Sequence, residues 1–234
     1  MSGILYGVGV GPGDPELMTV KATRLISGAP VVAYPAPDSG ESFARSIAAD
    51  CIKADAVEVP IVIPMRVARF PAQEVYEAAA QTLAGHLDAG RDVVVLCEGD
   101  PFFYGSFMYL FDRLSDRHRV EVVPGVTSLS ACAAMARRPL VARSETLTVL
   151  PATMPDAELR DRLGRGQAAA IMKVGRHLSR IRSAVRDSGG LDRAVYVRHA
   201  TLPQQEVLPL RDAPETAPYF SMILVPGTDP YAAS

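Results

Sequence analysis

The chain has 234 residues, of which 48% are apolar and 21% charged, with a formal net charge of −2. That length accommodates one large α/β domain or two small ones, and the apolar share excludes wholesale disorder. The near-neutral balance argues against a nucleic-acid coat or a polybasic membrane anchor, and no apolar run approaches the ~18 residues of a membrane span. In chain order, Ile4–Val10 reads as a short buried strand. Asp14 and Pro15 then open a helix, as an N-cap and a first helical residue do. Met18, Ala22, Leu25, Ile26 and Ala29 fall on one face of it. Gly28 and Pro30 stop it, and Val31–Tyr34 is a second strand, so the chain starts as a βαβ unit with parallel pairing.

Val57–Ile63 is a third candidate strand. Ala72–Ala89 is a long helix with Val75, Ala79, Leu83 and Leu87 inward. Val93–Cys97 is the clearest strand, followed by a helix from about Tyr104 to Leu114, a strand at Val120–Val123 and a small-residue helix at Thr127–Ala136. After Pro139 the pattern changes. Leu147–Leu150, Ala168–Met172, Ala194–Val197 and Tyr219–Val225 read as strands, with helices near Pro155–Leu163 and His177–Ser188. The turn-rich stretch between the last two strands leaves no room for a helix, so an antiparallel, hairpin-like ending is expected. The expected division is a parallel α/β domain over residues 1–120 and a mixed one over 121–234.

Cys51, Cys97 and Cys132 are widely spaced, and the four histidines show no metal-ligand spacing. Buried structural thiols and no metal site are expected. The first cation is Lys21, so no basic leader is expected, and the expected compartment is the cytoplasm.

Three Gly/Pro loops follow predicted strands: GVGVGPGDP (7–15), EGDPFFYGS (98–106) and PGVTS (124–128). The first is not a dinucleotide fingerprint. G-x-G-x-x-G would need glycine where Pro12 or Asp14 stands, and the second strand ends in Tyr34-Pro35 rather than in an acid. A phosphate loop would need Gly-Lys-Ser/Thr, which is absent. What remains is tight turning, or three loops converging on one rim at the carboxyl ends of the strands, where open α/β sheets bind ligands. Asp100 has two readings from its residue type: a contact to a ligand, or a brace of its own loop or of the following helix.

With GVGVGPGDPELMT, LCEGDPFFYGSFMYL and VEVVPGVTS in this order, then PAT, AAIMKVGRHL and YFSMIL, the chain resembles the tetrapyrrole methylase family over nearly its whole length. The resemblance implies a two-domain α/β fold with a mostly parallel N-terminal sheet and a mixed C-terminal sheet. It further implies a homodimer, and S-adenosyl-L-methionine bound in the cleft between the domains and released as S-adenosyl-L-homocysteine. Carried over residue by residue, it assigns the cofactor to Pro12, Gly99, Asp100, Phe103, Thr127, Ser128, Met172 and Ala200, and the tetrapyrrole trough to Gly11 and Gly13. GDPFFYGSFMYL with IMKVGRHL resembles the branch that methylates precorrin-2 at C20 in cobalamin synthesis. Its relatives on the anaerobic route take the cobalt-containing substrate. A non-catalytic nucleotide- or tetrapyrrole-binding module is the reading from another class.

The chain departs from sirohaem-forming relatives in lacking an acid after the second strand. Glu98, where many relatives have glycine, is the candidate proton acceptor; its alternative reading is a solvated loop acid. A polycarboxylate substrate calls for local cations, since guanidinium pairs bidentately with carboxylate. Arg66, Arg69 and Arg138 are the preferred candidates, with Arg45, Arg137, Arg143 and Arg176 behind them. His177 and His199 are expected to pack or cap.

Overall fold

The computed structural model describes residues 2–63 and 71–227. The chain divides into two compact units, residues 1–127 and 128–234.

The first unit alternates strands and helices: β1 (Leu5–Gly9), α1 (Val20–Gly28), β2 (Val31–Pro37), α2 (Phe43–Ile47), β3 (Val57–Ile63), α3 (Pro71–Asp88), β4 (Val93–Cys97), α4 (Met108–Leu114) and β5 (Val120–Val123). The sheet order is β3-β2-β4-β1-β5, with every pairing parallel. All five residues of β4 are buried, which is why VVVLC reads as an unbroken apolar run: helices cover both faces. Val93, Val95 and Cys97 face a core with Tyr76, Leu83 and Leu87 of α3 and Leu110 and Leu114 of α4. Val94 and Leu96 face the opposite core, with Ala22 and Ile26 of α1 and Ala44 and Ile47 of α2. Each large side chain fully buried there contributes about 1.5–3 kcal/mol.

Three expectations need correction in this unit. Asp14 and Pro15 open only a 3-10 turn, Pro15–Leu17; α1 itself is capped by Thr19, whose Oγ1 accepts from Ala22 N at 3.1 Å. The strand β2 runs on to Pro37. The ladder with β4 stops at Ala33, so Pro35 and Pro37 cost no bond on that side. Last, β5 pairs with β1, so a division after residue 120 would have cut the sheet; the units part after Thr127.

The second unit comprises α5 (Ser128–Ala136), β6 (Leu147–Pro151), α6 (Asp156–Gly164), β7 (Ala168–Met172), α7 (Leu178–Asp187), β8 (Val195–Arg198), β9 (Glu206–Pro209) and β10 (Ser221–Val225). Its sheet order is β6-β7-β10-β8-β9. Only β6 and β7 pair in parallel; the rest is antiparallel. The expected antiparallel ending is present, with β9 as an additional edge strand. One face packs on α6 and α7 through Leu159, Leu163, Ile181 and Val185. The other packs on α5 through Cys132 and Ala133. No helix among the described residues is long and apolar enough to cross a membrane.

Candidate functional site

In the first sheet β4 and β1 are neighbours, yet their helices leave for opposite faces. The helix after β1, α1, joins the core with α2, whereas α4, after β4, joins the core with α3. This is the arrangement that opens a ligand crevice at the carboxyl ends of an α/β sheet. Three loops stand there: residues 10–14 after β1, 98–107 after β4, and 124–127 after β5.

The loops are bonded to one another. Gly11 and Gly99 exchange backbone bonds, Gly99 N to Gly11 O at 2.8 Å and Gly11 N to Gly99 O at 3.3 Å. Both sit at positive φ, +81° and +65°, where a side chain is strained. Asp100 accepts from Phe102 N through Oδ1 at 2.9 Å and from Gly125 N through Oδ2 at 3.0 Å. Its carboxylate therefore forms an Asx-type turn in its own loop and fastens the third loop to the second. It does not cap α4, whose N-cap is Phe107 with no side-chain bond.

Glycine at this junction is a packing requirement between loops. A Cβ on Gly125 would lie 2.0 Å from Gly99 O, and one on Gly9 would lie 2.6 Å from the same oxygen. A Cβ on Gly7 would strike the Phe107 ring at 2.3 Å. Gly11 and Gly13 are buried, while Pro12, Phe103 and Thr127 are half-buried. Phe103 stacks edge-on to Tyr104 at 5.3 Å, and Tyr104 holds a φ of 57°.

Glu98 opens the second loop. It is half-buried rather than solvated, and burial pushes its carboxyl up to about 6. Tyr34, in the middle of β2, is no substitute base. Burial raises its phenol first, and its hydroxyl is engaged with Glu58 and Arg45. The thiols of Cys97 and Cys132 are buried and raised by that burial, the latter up to about 12.

The second unit carries its own rim, at the carboxyl ends of β7 and β8 and the start of β10. Met172 ends β7 opposite Met222, half-buried; Ala200 is buried just past β8. Lys173, His199 and Thr201 flank them, all at positive φ, 59°, 49° and 70°. Each such residue costs about 1–2 kcal/mol relative to glycine, and strain of this kind clusters at functional sites. Ser128 is half-buried at the first turn of α5.

Of the candidate cations, Arg66 and Arg69 lie outside the described residues. Arg138 is exposed in the turn after α5. Arg45 is committed to Glu58 by two bonds of 2.8 and 2.9 Å. His177 stands in a 3-10 turn, its imidazole lowered by burial and then by Arg180 and Arg176. Sequence reasoning missed the bond from Gly125 to Asp100; the signal available was an aspartate directly after glycine in a loop, a residue that binds nearby backbone N–H groups.

The comparisons with known proteins agree with this architecture. A family model described as tetrapyrrole (corrin/porphyrin) methylases matches residues 4–214. The chain is 46% identical over 240 aligned residues to a precorrin-2 C(20)-methyltransferase of a Sinorhizobium species, covering 97% of this chain and 98% of that one. It is 32% identical over 229 residues to the cobalt-precorrin-2 C(20)-methyltransferase of Salmonella typhimurium, covering 96% and 97%. Among solved structures it is similar to a uroporphyrin-III C-methyl transferase from Thermus thermophilus complexed with S-adenyl homocysteine, with a TM-score of 0.70, 25% identity, and coverage of 97% and 98%.

Proposed function

Because the chain belongs to the tetrapyrrole (corrin/porphyrin) methylases, we propose that it methylates precorrin-2 at C20 to give precorrin-3A in cobalamin synthesis, as a cytoplasmic homodimer. The observation that carries the reading from the structure is the junction of three loops at the carboxyl ends of β4, β1 and β5, held by Asp100 and the Gly11–Gly99 pair. The similarity to a precorrin-2 enzyme at 46% identity, against 32% for a cobalt-precorrin-2 enzyme, favours the metal-free substrate.

S-Adenosyl-L-methionine, when bound, supplies the methyl group. The residues fit a sulfonium nucleoside, which asks for backbone polar groups beside an apolar wall. In the proposed set the loop backbone at Thr127 supplies the first and Phe103 and Pro12 the second, with the Met172 thioether as the second unit's proposed apolar contact. Gly99, whose N–H and carbonyl are exchanged with Gly11, belongs to the set by allowing close approach. Ser128 and Ala200 complete the proposed set. Asp100 serves it by fixing the second and third loops. Gly11 and Gly13 shape the loop along which the tetrapyrrole is proposed to lie, and Arg66, Arg69 and Arg138 are the proposed partners of its acid arms.

The chain's main contribution to rate is alignment, which is worth up to ~7–11 kcal/mol in well-oriented cases. Glu98, a carboxylate above about pH 6, is the proposed acceptor of the proton that the methylated carbon gives up. The test is transfer of labelled methyl to precorrin-2 and to cobalt-precorrin-2 side by side. Preference for the metal-free ring supports the proposal. Preference for the cobalt form assigns the enzyme to the anaerobic route, and labelling of neither ring rejects the substrate.

A further inference from the structure

The rim of the second unit holds a set of side chains that the cofactor assignment does not use. The strand β10 is antiparallel to both of its neighbours, so it begins where β7 and β8 end. Met172 pairs with Met222 and Arg198 with Ser221; one step on, His199 N bonds Phe220 O at 3.0 Å. Lys173 and His199 therefore stand on either side of β10, about 10 Å apart at two strand spacings. Between them the chain enters β10 through Tyr219 and Phe220, 56% and 38% exposed, with rings 5.3 Å apart. Ser221 fixes this turn: its N–H donates to Tyr219 O at 2.9 Å and its Oγ to Pro218 O at 2.7 Å. Neighbouring Arg198 is already paired with Glu206 at 2.9 Å.

Lysine and histidine are held here in a backbone conformation that glycine adopts more easily, and strain of this kind clusters at functional sites. Two exposed aromatic rings flanked by an ammonium and an imidazole match a flat, apolar ring edged with carboxylates. We propose that Lys173, His199, Tyr219 and Phe220 form a contact surface for the polycarboxylate macrocycle, the first two binding acid arms and the aromatic pair the ring. The proposal rests on the substrate class given above.

The experiment titrates the full chain with uroporphyrin III, which carries the acid arms, and with a water-soluble porphyrin that has no carboxylates, each followed by the porphyrin absorbance band. K173G and H199G remove the side chains while suiting the backbone, and K173N and H199N repeat the test with another residue that tolerates this region. Each is expected to weaken uroporphyrin III binding roughly ten-fold, the loss of one charge-assisted contact. The affinity for S-adenosylhomocysteine stays unchanged. The Tyr219→Ser/Phe220→Ser double variant is expected to weaken both porphyrins. Binding of uroporphyrin III within two-fold of the parent in all of these variants overturns the proposal, as does a loss confined to S-adenosylhomocysteine. If the parent methylates no tetrapyrrole yet binds uroporphyrin III in this variant-sensitive way, the reaction assignment fails and the contact surface stands.

Discussion

The carboxylate of Asp100 accepts the backbone N–H of Gly125 at 3.0 Å, across 25 residues of chain, while its other oxygen accepts from Phe102 N at 2.9 Å. One side chain thus joins two of the three loops at the candidate site. Asp100→Ala removes both bonds and leaves two backbone donors short of partners. It is expected to cost about 2–4 kcal/mol of stability in chemical denaturation. Asp100→Asn keeps one acceptor oxygen and costs less. Cofactor affinity, read by calorimetry, falls in the same order. An Ala variant as stable as the parent would show that the loops hold without the bridge.

The junction glycines and the ordinary ones respond in opposite directions. Gly125→Ala places a methyl 2.0 Å from Gly99 O, a backbone atom that cannot step aside without moving the second loop. Loss of cofactor binding and a marked drop in melting temperature are expected. Gly85, inside α3, has no atom within 4 Å of its Cβ position. Gly85→Ala is expected to stabilise by about 0.5–1 kcal/mol, the helix-propensity difference. Equal effects of the two substitutions on melting temperature would refute the packing argument.

The strands and the three loops could be read from the sequence because their signals are local. Burial on both faces makes β4 uniformly apolar, and Gly/Pro clusters mark the loops. What escaped the sequence depends on partners far along the chain. The α2 helix, Phe43–Ile47, is five residues long, too short for a periodicity to register; its one local mark is Ser42, whose Oγ accepts from Arg45 N at 3.2 Å. The edge strand β9, Glu206–Pro209, exists through its pairing with β8 and is bracketed by turn residues. The role of Asp100 needed Gly125 in place before it could be chosen from two readings. Likewise the alternation of charge and turn around Glu98 gave no hint of its burial.

Thiol reactivity separates the three cysteines. Cys97 and Cys132 are buried, and burial pushes both thiols up, which leaves little thiolate at neutral pH. Only Cys51 is half-buried. In the native protein a disulfide reagent is expected to titrate one thiol quickly, and all three only in denaturant. Mass spectrometry of the labelled chain identifies the first; early modification at Cys97 would contradict the packing of β4.

Among the arginines, binding partners and structural ones differ by what already holds them. Arg45 forks onto Glu58 at the surface, so Arg45→Ala is expected to leave the tetrapyrrole KM unchanged and to cost less than about 1 kcal/mol of stability. Arg66→Ala, Arg69→Ala and Arg138→Ala are expected to raise that KM more than they lower kcat, since carboxylate clamps bind ground and transition states alike. A large fall in kcat at constant KM in any of the three would give that arginine a part in the chemical step.

Glu98 ties pH to both stability and rate, with opposite signs. Burial raises its carboxyl from an ordinary value of 4.5 to about 6, so the folded chain holds this proton to higher pH than the unfolded chain does. Its contribution to stability is complete below about 4.5 and is lost as pH rises through about 6. The carboxylate, the form that accepts a proton, appears over that same rise. Single-turnover methyl transfer is therefore expected to slow on acidification through about pH 6, while the fold becomes firmer. Glu98→Gln flattens both dependences. Because alignment supplies most of the rate, the variant is expected to lose less than about a thousand-fold, within the ~10²–10⁴-fold range of general-base help. Water then takes the proton in its place. A larger loss with cofactor and tetrapyrrole affinities intact would make proton removal at Glu98, rather than alignment, the step that limits transfer.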